Sequence, residues 1–158
     1  MKILVPPRGK TNQEVSTPPE FIKAVEARFG KIDLDLAANA SNHVAPRYLG
    51  PGGLAEDALA YNHWGSLNTG GLAYLNPPFA KVLPWAYRAT TSRKNGLRVA
   101  LLIPAAVCTD WFLEWVQPNA YVFLLTPRVF AREVRDCALC IYEPAGYRGM
   151  EPWEWKDG

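Results

Sequence analysis

The segment Gly71-Leu72-Ala73-Tyr74-Leu75-Asn76-Pro77-Pro78-Phe79 constrains the fold more than any other. Leu72 to Leu75 are apolar enough for a buried strand. Pro77 lacks an N–H and disfavours helix at Asn76, so the strand has to stop there. Asn76 is therefore expected at a strand tip, and in open α/β sheets the carboxyl ends of strands are where ligands bind. An extended Asn-Pro-Pro cannot turn its own carbonyls into a helix. The Asn76 side-chain oxygen and the Pro77 carbonyl are left to accept from an outside amino group, and Phe79 adds a flat apolar face. Together they form a receptor for a planar ring bearing an exocyclic NH2.

The rest of the chain supplies a sheet around that strand. Leu97 to Pro104 is a continuous apolar run of the kind a central parallel strand needs. Ala120–Leu125 and Cys137–Tyr142 read as two further strands, and Ile32, Leu34 and Leu36 alternate with acids in a first one that ends at Asp35. Helices are predicted from about Pro18 to Phe29, with Thr17 as N-cap and Glu20 completing a capping box, over 82–91, and over 109–116 with Thr109 as cap. Residues 39–70 are punctuated by glycine and proline and read as long loops, which in a compact domain are usually functional. The tail carries Trp153 and Trp155, expected to pack against the body.

At 158 residues the expected organisation is a flexible arm over 1–15 and one domain over 16–158, with no separate target-recognition domain. Hydrophobic residues make up 49% and charged residues 20%, a globular balance, and no apolar run approaches the ~20 residues of a membrane span. Pro6 and Pro7 interrupt the start before a signal-peptide apolar region could form, so a cytoplasmic protein is expected. Cys137 and Cys140 have the spacing of half a zinc site, but residues three apart on a strand face opposite sides and no second pair exists. No metal is expected. A net charge of +2 permits nucleic acid as a partner without demanding it. The segment 126–135 interleaves Arg128, Arg132 and Arg135 with Phe130 beside a strand edge, which suits phosphates and splayed bases as well as it suits a solvated hairpin.

Asn76-Pro77-Pro78-Phe79 resembles motif IV of the amino-methyltransferases, (Asn/Asp/Ser)-Pro-Pro-(Tyr/Phe). Thr17-Pro18, Leu34-Asp35-Leu36-Ala37-Ala38, Asp57-Ala58-Leu59 with Trp64, and Asn76-Pro77-Pro78-Phe79 follow one another in an order similar to that of the phage-type DNA N6-adenine methyltransferases. This resemblance covers residues 16 to about 143. It implies a reduced Rossmann-like methyltransferase fold of the α/β class, mostly parallel with an antiparallel last strand. It also implies S-adenosyl-L-methionine as cofactor and DNA as partner, in a bacterial or phage-infected cytoplasm. Asn76, Pro77, Pro78 and Phe79 become the catalytic set, and Thr17, Pro18, Asp35, Ala37, Ala38 and Asp57 the cofactor-binding set. No Gly-x-Gly follows the first strand, so the small pair Ala37-Ala38 stands in for it. The site itself would serve RNA adenine, cytosine N4 or a protein glutamine amide equally well, and an inert nucleic-acid binder on the same fold is a further reading. The oligomeric state is not legible.

Overall fold

The structure is a computed structural model that describes residues 16–68, 70–130 and 135–157. The expected N-terminal arm and Arg132 lie outside the described residues. A seven-stranded sheet runs through the middle in the order β2-β1-β3-β4-β6-β5-β7. Its strands are β1 (Ile32–Asp35), β2 (Arg47–Tyr48), β3 (Leu72–Leu75), β4 (Arg98–Pro104), β5 (Tyr121–Thr126), β6 (Cys137–Tyr142) and β7 (Gly149–Glu154). Every pairing is parallel except those of β6, which runs against both β4 and β5. The expected antiparallel strand is thus Cys137–Tyr142. It sits inside the sheet, and a seventh, parallel strand follows it.

Side chains alternate between two cores, as strand geometry requires, except in β1, where a register irregularity between Ile32 and Leu34 puts these two on opposite cores. Leu34, Ala73, Leu75, Leu101 and Tyr142 face α2 (Leu83–Arg93) together with Phe112 and Val116. Ile32, Leu72, Tyr74, Leu102 and Leu139 face α1 (Pro19–Phe29), where Phe21 meets the edge of Trp155 at 5.2 Å. The chain leaves β1 to place β2 on one side, then returns to place β3 on the other. Such a reversal opens a crevice at the carboxyl ends of the two strands.

Two expected helix caps are not the ones observed. Thr17 does not cap α1: Pro18 stands at the cap position without a side-chain bond, and the Thr17 hydroxyl is drawn inward to Tyr74. The helix expected over 109–116 contains a π-helical segment, Phe112–Val116, and Thr109 donates its hydroxyl proton to the Ala106 carbonyl. The Gln117 amide closes the π turn on the Phe112 carbonyl at 2.8 Å, and the Trp115 carbonyl accepts from the Thr90 and Tyr142 hydroxyls. Cys137 and Cys140 fall on opposite cores, so the pair cannot grip one ion. Among the described residues no cluster suited to a metal occurs, and no helix is long and apolar enough to cross a membrane.

Candidate active site

The crevice is built where β1 and β3 end together. Asp35 is in register with Tyr74, and the Leu36 amide donates to the Tyr74 carbonyl at 2.8 Å. Beyond Asp35, the Ala38 amide donates to the Leu49 carbonyl and the Leu49 amide to the Asp35 carbonyl, so Ala37-Ala38 is sewn to the end of β2. Both alanines are buried. Gly50 permits this approach. Its φ is +131°, and a Cβ there would meet the Ala38 carbonyl oxygen at 1.7 Å.

Asn76 follows β3 directly, at the tip of the strand, and is only 6% exposed. Its Nδ2 donates to Thr17 Oγ1 at 3.4 Å, and that hydroxyl is bonded to the Tyr74 phenol at 2.9 Å. Its Oδ1 is buried with no hydrogen-bond partner among the described residues. A buried, unpaired acceptor costs about 1–3 kcal/mol, so such an atom calls for an explanation. Pro77 is buried beside it, and Phe79 is half-buried with its edge toward Phe130, centroids 6.4 Å apart. Burial holds the Tyr74 phenol far above its ordinary range, so it keeps its proton.

Asp35 is buried, and its carboxylate accepts from the Val44 amide at 3.0 Å and the Ala37 amide at 3.3 Å. Desolvation pushes its pKa up to about 6, against the lowering effect of those two amides and of nearby His43. Among the described residues no lysine or arginine pairs with it. An acid in this state is stabilised by any cation that reaches it. Asp57 is exposed on the loop that leaves β2, and its Oδ1 accepts from the Leu59 and Ala60 amides. That loop is clamped by Arg88, which donates to the Leu59 and Tyr61 carbonyls and to Asn62 and lies over the Trp64 ring. A cleft of about 330 Å³ beside this clamp, lined by Asn62, His63, Trp64 and Arg88 among others, takes in Trp64 of the third motif but no residue of the Asn-Pro-Pro-Phe or Asp35–Ala38 segments.

The structure brings Thr17, Pro18, Asp35, Ala37, Ala38 and the Asn-Pro-Pro-Phe segment to one end of the sheet and leaves Asp57 on the loop bordering it. Arg128 follows β5 and Arg135 precedes β6, and Phe130, two residues after Arg128, meets Phe79. Arg128 pairs with Asp136 at 2.9 Å and Arg135 is exposed. Sequence reasoning overlooked Tyr74 as part of the site. A tyrosine two residues before Asn76 on a strand shares its face, which was the available signal.

A mostly parallel sheet with a topological reversal at the Asn-Pro-Pro-Phe strand is consistent with a Rossmann-like methyltransferase fold. Residues 8–133 match the family described as DNA N-6-adenine-methyltransferase (Dam), and the chain belongs to that family. It is 30% identical over 107 residues to a protein of Escherichia phage T1 named "DNA N-6-adenine-methyltransferase". The match takes in 68% of this chain but 42% of the phage protein, so the chain spans less than half of that relative's length.

Proposed function

We propose that this protein transfers a methyl group from S-adenosyl-L-methionine to N6 of adenine in DNA, within a bacterial or phage-infected cytoplasm. The observation that carries the reading is the Oδ1 of Asn76, buried and unpartnered among the described residues, in the Asn-Pro-Pro-Phe segment at the sheet's reversal. The N6 lone pair of adenine is delocalised into the ring. Acceptance of its two N–H groups by Asn76 Oδ1 and the Pro77 carbonyl favours a pyramidal nitrogen that can attack. This stabilises a geometry reached in the transition state, so no strong base is needed, and the methylated nitrogen sheds its proton. Phe79 stacks on the base. Because N6 is paired in duplex DNA, the adenine has to flip out, at a cost of a few kcal/mol that stacking and pocket contacts offset.

S-adenosyl-L-methionine, when bound, supplies the electrophilic methyl. Asp35 fits such a cation because it is a buried carboxylate with raised pKa and no ion-pair partner among the described residues. Ala37 and Ala38 keep the neighbouring backbone free of bulk, and Thr17, Pro18 and Asp57 are the further cofactor contacts that the resemblance implies. The test is transfer of labelled methyl to DNA, with the product digested to nucleosides. N6-methyladenine supports the reading; label in cytosine, RNA or protein moves the acceptor, and no label anywhere leaves an inert binder.

Asp35 gives this assignment a pH signature. Its pKa rises from 3.8 to about 6 in the folded protein, so the folded state holds this proton more tightly than the unfolded one. The contribution of Asp35 to stability is therefore fully present below pH 3.8 and is lost as pH rises through about 6. Cofactor affinity is expected to run the other way, weakening as pH falls below about 6 and the charge is neutralised. Asp35→Asn should flatten both curves and weaken binding about ten- to a hundred-fold at neutral pH, the typical worth of one charged hydrogen bond. Calorimetric titration across pH measures this, and an unchanged pH profile in the variant would move the cofactor contact elsewhere, first to Asp57.

Arg128, Arg132 and Arg135 are proposed to hold DNA phosphates. The Arg128–Asp136 pair is exposed, and such pairs contribute only ~0.2–1 kcal/mol, so a phosphate can replace the carboxylate. Replacing Arg135 or Arg132 with alanine should weaken binding about equally for all sequences and lower the slope of log K against log salt by roughly one. Arg128→Ala should do less because its charge is shared. Slopes identical to wild type in all three would remove this segment from the DNA surface.

A further inference from the structure

The two ends of the Asn76 amide are chemically opposite, and the proposed reaction uses one of them. Nδ2 donates to Thr17 Oγ1, while Oδ1 is left buried and without a partner among the described residues. A hydroxyl carries one proton and two acceptor sites. Whichever way the Thr17–Tyr74 bond runs, Thr17 keeps an acceptor site for the Asn76 nitrogen. Tyr74 is itself fixed, lying 1% exposed on β3 between its paired neighbours β1 and β4.

We propose that Thr17 is a positioning residue for Asn76: its hydroxyl, braced by Tyr74, captures the amide nitrogen and so leaves the amide oxygen for the acceptor's amino group. This rests on the reading of Asn76 as the partner of that amino group and deepens it. An amide turned the other way would set N–H against N–H and repel the acceptor. The resemblance placed Thr17 among cofactor contacts; the observed contacts of its hydroxyl are to Tyr74 and Asn76. Thr17 thus couples the entry to α1 with the end of β3, across 59 residues of sequence.

Thr17→Val, Thr17→Ser and Tyr74→Phe test the proposal through kcat, KM and Kd for S-adenosyl-L-methionine, and the side-chain NH2 resonances of Asn76. Thr17→Val removes the hydroxyl at nearly constant shape and should lower kcat about ten-fold, the worth of roughly one neutral hydrogen bond, with KM and Kd within about two-fold. Thr17→Ser should restore kcat to within about three-fold of wild type, and the Asn76 NH2 pair should shift in the valine variant and return in the serine variant. Weaker cofactor binding with unchanged kcat would return Thr17 to the cofactor site and overturn the proposal, as would a serine variant as slow as the valine one. If the valine variant does not fold, Tyr74→Phe decides: a shifted Asn76 pair with lower kcat supports the brace, and unchanged values overturn it. If wild type methylates no adenine, the proposed function fails on its own, and the amide resonances then judge the positioning, a serine-reversible shift supporting it and no shift overturning it.

Discussion

Replacing Asn76 with alanine is expected to lower kcat for methyl transfer by about 10²–10³-fold or more, the loss typical when one preorganised partner of a reacting group is removed. Cofactor affinity should stay within a few-fold, because the carboxylate proposed to meet the cofactor, Asp35, stands on the neighbouring strand. The same substitution should leave the fold as stable as before. It removes a buried oxygen that has no partner among the described residues and whose burial already costs free energy, and gives up only the long 3.4 Å contact to Thr17. Lost activity with an unchanged melting temperature is the mark of a residue kept for chemistry. Full activity in a folded variant would mean that the Asn-Pro-Pro-Phe segment is only a strand stop.

The elements that could be read from the sequence are those whose signal is local. Pro77 ends β3 after Leu75, and unbroken apolar runs mark β4, β5 and β6, since strands buried on both faces need no polar alternation. The strand β2 is two residues long, too short for any periodicity to show. The strand β7 contains Pro152 and two glutamates and sits at the sheet edge, where proline is tolerated. Its burial rests on Trp153, whose partner in the same core is Phe123 at 6.1 Å, a contact made only by the fold. The site divides in the same way. Asn76 and Asp35 announce themselves by type and place in the chain. The Thr17 hydroxyl looked like a helix cap because the cap pattern is local, whereas the partner it takes, Tyr74, is 57 residues away. Arg88 could not be read as the clamp of the loop bearing Asp57, because each of its loop partners lies more than 20 residues back.

Gly50→Ala should cost about 3 kcal/mol or more, lowering the melting temperature by roughly 6–12 °C for a chain of this size, and should weaken cofactor binding as well. Two separate penalties meet at this position. A φ of +131° is one that side chains rarely adopt, and the added Cβ would fall 1.7 Å from the Ala38 carbonyl oxygen, which is backbone and cannot rotate away. Relief requires Ala38 to move, and Ala38 is bonded to Leu49, whose amide in turn holds the Asp35 carbonyl. The displacement therefore reaches the acid proposed to hold the cofactor. Gly70→Ala is the matched control. Its φ of +88° carries the same kind of conformational penalty, but a Cβ there meets nothing within 4 Å. That variant should lose only about 1 kcal/mol and bind cofactor normally. Thermal melts and calorimetric titrations of the two variants separate steric closure from backbone strain. Equal losses in both would show that the approach of Gly50 to Ala38 does not shape the crevice.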